Sequence, residues 1–287
     1  MQRLSLREER NFSEIINATF LFTFQNLKTL GPILLYFAAP FALVSGISVG
    51  LFQAQVFSFT TSQQATGFTS LFGAEYLLSI FFSWLASIVL SLVVSSYFVE
   101  YMDRPGEIDP GRVWRHVISK LLPTLGMHIL YGLSLLVGAI LCVLPAIYPY
   151  TAFSLSTISM VREELSPIQA LRRSQELVQL NWSEFFTTFG LRLLIALAAG
   201  ILGGVLSVPM YIIVFLQSLK VVGENMQWVM LLSSVLSTLG TTLMNSLVEI
   251  ALGLQYFSLV EKKEGLGLME QIQAIGQKTD RNLSEDY

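Results

Sequence analysis

Glu249, Asn245, Arg192 and His128 stand inside runs of otherwise apolar residues, and their spacing decides what chemistry they could share. Glu249 lies twelve residues before Glu261, ~18 Å along a helix, and Arg192 lies eight residues after Glu184, ~12 Å along another. The ~6 Å left between them is about the reach of an extended arginine, so an Arg192–Glu249 pair is expected if Arg192 turns inward. A bare carboxylate at that depth is disfavoured, and Glu249 is expected to be paired, hydrated or neutral. Two roles stay open: a buried structural ion pair, or an ion- or proton-coupling group. Nucleophilic chemistry has less behind it. Gly46-Ile-Ser-Val-Gly50 matches G-x-S-x-G, but that motif needs a strand-turn-helix context and a histidine partner. The histidines are His116 and His128, and ~12 Å of depth separates Ser48 from His128, whereas a nucleophile and its base must approach within ~3.2 Å. No metalloprotease, P-loop or dinucleotide-binding pattern occurs, and the single cysteine, Cys142, excludes an intrachain disulfide or a multi-cysteine metal site. No catalytic residue, cofactor or metal is therefore expected.

The elements that position these groups follow from composition. Of the 287 residues 53% are hydrophobic and 13% charged, with a mean hydropathy of +0.61, against roughly 25% charged in soluble domains. This composition implies an all-α integral membrane protein, and a net charge of -3 argues against nucleic acid as a partner. Apolar runs long enough to cross a bilayer predict spans at 30–52, 76–101, 121–142, 146–161, 185–208 and 236–260, a single transmembrane domain over 1–260 followed by a polar tail over 261–287. The fourth run is short, with Pro149 inside it; Pro32 and Pro40 mark expected kinks in the first run, and Pro209 an expected break. No cleaved leader is expected near the start, where Arg3, Arg7, Glu8, Glu9 and Arg10 crowd together.

Charge placement gives an orientation independently of hydropathy. Arg3, Arg7, Arg10 and Lys28 precede the first run, and Arg104, Arg112, Arg115 and Lys120 fall between the second and third. Arg162, Arg172 and Arg173 follow the fourth run, and Lys262, Lys263, Lys278 and Arg281 lie in the tail. Lys220 alone occupies an opposite segment, so both termini are expected in the cytoplasm, at an inner membrane.

Three charged segments read as amphipathic helices on the cytoplasmic surface. In the first, over 11–28, Ser13 is the candidate cap and Phe12, Ile16, Phe20, Phe24 and Leu27 form a face. The second covers 103–120. The third starts at Ser166-Pro167, a cap followed by a preset first turn, and runs to about Asn181. Ile168, Ala170, Leu171, Ser174, Leu177, Val178 and Trp182 fall on one of its sides, opposite Gln169, Arg172, Arg173, Glu176 and Gln179. Arg172, Arg173 and Trp182 are the candidate membrane-surface residues, and a helix in the headgroups or one packed on the chain itself are both open. Asp109-Pro110 beside Ser166-Pro167 suggests a threefold repeat of surface helix plus hairpin. Inside the runs, Ala38, Ala42, Gly46 and Gly50, and again Ala196, Gly200 and Gly204, make small-residue rows suited to close helix approach. Ser79, Ser83, Ser87, Ser91 and Ser95 make a serine row, and Ser233, Ser237, Thr241, Asn245 and Glu249 a second polar row. These either pack or line a hydrated path.

Ala170-Leu-Arg-Arg-Ser174 with Asn181-Trp182, the opening from Phe12 to Asn26, and Glu261-Lys-Lys-Glu-Gly-Leu-Gly-Leu-Met-Glu resemble a large group of uncharacterised bacterial six-helix membrane proteins. These are similar to the membrane domain attached to some glycerophosphodiester phosphodiesterases. No stretch of the sequence resembles the soluble barrel of those enzymes, so their catalytic residues have no counterparts here. The resemblance implies a non-catalytic membrane module. The expected function is accordingly a scaffold or lipid-interacting assembly partner, with membrane lipids and a membrane protein or second copy as partners. The alternative is a small-solute or ion transporter or channel with its polar path along the second and sixth spans.

Overall fold

The computed structural model describes residues 3–62, 73–103, 108–141, 143–219 and 227–265, and within these the regular structure is entirely helical. In chain order the helices are α1 (Phe12–Phe37), α2 (Ala39–Ser62), α3 (Ala74–Asp103), α4 (Pro110–Leu141), α5 (Val143–Ala152), α6 (Ser156–Arg162), α7 (Pro167–Val178), α8 (Trp182–Val205), α9 (Val208–Ser218) and α10 (Gln227–Glu264). By length and composition α3, α4, α8 and most of α10 could each cross a membrane, and α1 with α2 makes a fifth candidate if that pair, bent by 56°, is one broken span.

Several expected boundaries shift for local reasons. The first two surface helices are not separate elements: α1 and α4 continue unbroken from their charged starts into the apolar runs that follow. Asn11 rather than Ser13 caps α1, because Glu14 stands three residues on and closes a reciprocal box, Glu14 N–H to Asn11 Oδ1 at 3.0 Å and Asn11 N–H to Glu14 Oε2 at 2.8 Å. Its inward side is Ile15, Ala18, Thr19 and Phe22, while Phe24 and Leu27 of the expected face point outward. A helix apolar on two sides can pack with one and meet lipid with the other. The expected span at 30–52 straddles the bend at Ala38, next to Pro40, and the one at 146–161 is broken between α5 and α6. Of the expected polar tail over 261–287, the part beyond 265 lies outside the described residues.

α10 is the central element, with α1, α2, α3, α8 and α9 around it. Residues 250–259 of α10 are buried throughout. Phe98 of α3 stacks on Phe22 with ring centroids 4.8 Å apart and meets Phe257 of α10 edge-on at 5.7 Å. Gly253 leaves room for the Phe98 ring. The row Ala38, Ala42, Gly46 and Gly50 faces α10: a Cβ on Gly46 would lie 2.8 Å from Val235 Cα, and Ser234 Oγ–H reaches Gly46 O at 3.0 Å. On α8 the close approach falls at Gly203, where a Cβ would lie 2.9 Å from Thr241 Cα, whereas Gly200 and Gly204 have nothing within 4 Å. The inward stripe of α8 runs through Leu191, Ile195, Ala199 and Gly203, one position away from the expected row.

α4 and the α5–α6 segment pair antiparallel. Gly138 abuts Ala146, Tyr131 reaches Tyr150, and Met127 clusters with Met160. The chain thus reverses direction between α4 and α5 and returns to the end it left, where Arg162 Nη1 meets Asp103 Oδ1 at 2.6 Å.

Candidate functional site

The site begins at the break between α5 and α6. Around it the chain tightens to i→i+3 bonds: Ser154 N–H goes to Thr151 O at 3.2 Å and Ser156 N–H to Phe153 O at 3.2 Å. The Thr151, Ser154 and Ser156 hydroxyls also bond back to carbonyls of their own turns. Because Ser154 N–H is taken by Thr151, the Tyr150 carbonyl loses its usual partner, and a buried backbone oxygen needs a substitute. Arg192 of α8 supplies it: its Nη1 donates to Tyr150 O and, at 2.9 Å, to Tyr131 Oη, while Tyr131 O–H also donates to Tyr150 O at 3.3 Å. The guanidinium lies over the Tyr150 ring with Cζ 3.8 Å from the centroid. Ser174 of α7 closes the other side of the break, donating to Ala152 O at 2.6 Å and accepting from Leu155 N–H at 3.0 Å. α7 is thereby docked on the chain through buried Ala170, Ser174, Leu177 and Val178.

The expected Arg192–Glu249 contact is not made. Glu249 Oε2 instead accepts from Ser91 Oγ–H on α3 at 2.6 Å, and no Arg192 nitrogen comes within 4.0 Å of a Glu249 oxygen. Depth alone allowed the pair; Arg192 turned sideways because an orphaned carbonyl and a tyrosine hydroxyl were nearer. His128 joins the arginine side, with its ring 6.3 Å from the Tyr131 ring and Nδ1 3.0 Å from Thr124 O. Asn245 stands apart from Arg192, in the wall of a cavity of about 280 Å³ between α2, α3 and α10. Ser45, Ser83, Ser87, Ser237, Thr238, Thr241 and Thr242 line the same cavity, so the serine row and the second polar row share one space. Glu249 lies one helical turn beyond Asn245. Ser48, the candidate nucleophile, donates to Val44 O at 3.0 Å in its own helix.

Tyr131, Tyr150 and Ser174 were not singled out as site residues by their chemistry. The one signal that could have found the tyrosines is their position on either side of the α4–α5 turn, since an antiparallel hairpin brings such residues together.

A second polar region gathers at one end of the bundle. Arg173 is directed inward, to Glu163 Oε1 at 2.9 Å and to Glu264, where a headgroup-facing side chain was expected. Tyr256 O–H donates to the same Glu163 oxygen at 2.7 Å. Burial would lower the Arg173 pKa, but the hydrogen bonds it donates to Glu264 and Glu163 outweigh it and hold the guanidinium above its usual range. Arg112 pairs with the buried Glu100 at 2.6 Å, and Lys262 with Glu184 at 2.7 Å. Arg162, Glu163, Arg173, Glu264 and Asp103 ring a basin of about 830 Å³ at this end. Arg172 and Trp182 are both exposed, Trp182 with 77% of its surface free and stacked on Phe186 at 6.2 Å. Ile168, from the apolar side of α7, is 67% exposed.

Fold and site together define an all-helical protein with four to five helices suited to membrane insertion. No protein-family model, curated protein or solved structure matches the chain.

Proposed function

We propose that this chain is a non-enzymatic, multi-pass module of a bacterial inner membrane, crossing six times as three hairpins and serving as a lipid-interacting scaffold or assembly partner. The observation that carries the reading is the one-sided charge pairing. Ion pairs tie the α3–α4 junction, the end of α6, α7, the start of α8 and the end of α10 to one another, and Lys262 also reaches Glu9 before α1 at 3.6 Å. If these meet at one membrane face, each intervening pair of segments must go out and come back, and the broken α5–α6 counts as a crossing sheltered by α4 and α7. The Lys and Arg excess at that face makes it cytoplasmic. Exposed Trp182, Phe186, Ile168 and Arg172 supply the mixed apolar and cationic surface that headgroups favour. The bacterial six-helix proteins resembled by the sequence fit the same description.

Orientation is tested by single cysteines in a Cys142→Ser background. An impermeant thiol reagent added outside intact cells is expected to label Ser62→Cys and to leave Arg172→Cys unlabelled until the membrane is opened. Labelling of Arg172→Cys from outside overturns the topology.

A second reading, a small-solute or ion transporter, is favoured by the cavity in which the two polar rows meet. Proteoliposomes separate the readings. A scaffold is expected to leave proton and sodium gradients intact, whereas a transporter dissipates one of them, and Glu249→Gln then abolishes the flux while the protein still folds.

A further inference from the structure

We propose that Arg192 is a ligand-binding residue whose free guanidinium edge takes an oxyanion, the phosphate or carboxylate group of a ligand, at the junction of α4, α5 and α8. A guanidinium carries five N–H donors. The two on Nη1 serve Tyr131 and Tyr150, and the three on Nε and Nη2 have no acceptor among the described residues. That vacant edge presents two parallel N–H bonds, which match two oxygens of a carboxylate or phosphate in a way that a spherical anion or a single hydroxyl does not. The tyrosine contacts and the Tyr150 ring 3.8 Å from Cζ hold the guanidinium plane, so the edge is preset in one direction. The nearest acid, Glu249, is held by Ser91 on α3, outside pairing distance. Arg192 is half-buried, and an oxyanion at its open edge supplies a contacting counter-charge and fills the remaining donors together. The backbone repair at Tyr150 explains why an arginine is here, and it uses only one of the three nitrogens. This site is separate from the serine-lined cavity and does not depend on the scaffold or transporter reading.

The ligand's oxyanion could belong to a lipid headgroup or to a soluble molecule, and the assay separates them. The full chain, purified in a maltoside detergent that carries no phosphate, is followed by thermal unfolding with inorganic phosphate or acetate against chloride at matched ionic strength. In parallel it is followed with dioctanoyl phosphatidic acid against dioctanoylglycerol. At least one oxyanion is expected to raise the melting temperature of the native chain, with apparent affinity about tenfold weaker in Arg192→Lys, which keeps the charge and loses the fork. Arg172→Gln, at an exposed arginine, is expected to keep the full shift. A response to phosphatidic acid alone assigns a lipid headgroup, and a response to a free anion assigns a soluble ligand. No oxyanion-specific shift in the native chain, or an undiminished one in Arg192→Lys, overturns the proposal. Should Arg192→Lys fail to fold, Phe189→Trp retains the arginine and puts a reporter beside Tyr150, whose ring centroid lies 6.4 Å from that of Phe189. Its emission must then change with the same additive, and an unchanged spectrum overturns the assignment.

Discussion

Val178→Asp is expected to leave little folded protein, a loss of about 4 kcal/mol or more, while Arg172→Gln changes stability by no more than about 0.5 kcal/mol. Val178 and its neighbour Leu177 have no exposed surface and belong to the main hydrophobic cluster, so an aspartate there is buried without a cation built to receive it. The helix that carries them also holds Ser174, whose hydroxyl serves both sides of the α5–α6 break. Undocking α7 therefore strands the Ala152 carbonyl and the Leu155 N–H as well, and each stranded group adds about 1–3 kcal/mol. Thermal unfolding of the two variants in detergent, followed by circular dichroism, measures the difference. Equally small effects would mean that α7 hangs free of the bundle.

A comparable loss is expected from Gly46→Leu, at least about 3 kcal/mol, against little change for Gly200→Leu. Both glycines sit in apolar helices and both belong to small-residue rows in the sequence. At Gly46 a Cβ would lie 2.8 Å from Val235 Cα and 3.2 Å from Thr238 Cβ, so backbone must move, α2 must leave α10, and the Ser234 bond to Gly46 O breaks. At Gly200 the added side chain meets open space on the outer side of α8. Comparing melting temperatures, and the monodispersity of each variant on a sizing column, distinguishes the two sites. A Gly46→Leu protein as stable as the native chain would show that the α2–α10 contact is dispensable.

What could be read from the sequence was whatever depended on near neighbours in the chain. Ser166 and Pro167 begin α7, and Asp109 and Pro110 begin α4, because capping is decided within one turn. The same locality explains the errors. Nothing in 103–120 marks where a helix on a surface becomes a helix crossing a membrane, and α4 runs through. The break at 153–155 has no proline or glycine within it and shows itself only in the hydroxyls of Thr151, Ser154 and Ser156, residues that are also common in unbroken helices. Without that break there is no orphaned Tyr150 carbonyl, and without the carbonyl Glu249 looks like the natural target for Arg192. Spacing of four found the serine row but could not name Ser45, on another helix, as the partner of Ser83 at 2.6 Å. Periodicity likewise cannot tell a side that meets protein from one that meets lipid, which is why a face drawn through Phe24 and Leu27 did not reveal that both lie exposed.

The dependence of the α5–α6 break on Ser174 and Arg192 has a consequence for biogenesis. Both residues are translated after the segment they complete, so when Val143–Arg162 leaves the ribosome the Ala152 carbonyl has no partner yet and the Tyr150 carbonyl has only the 3.3 Å bond from Tyr131. The α5–α6 segment is then expected to wait in a hydrated or protein-lined setting, such as the insertion machinery, until α7 and α8 have followed. On the proposed six-span topology, α4 to α10 are then expected to settle into the bilayer as one unit rather than in sequence, and a chain truncated after Arg162 is expected to be recognised by the cell as incomplete.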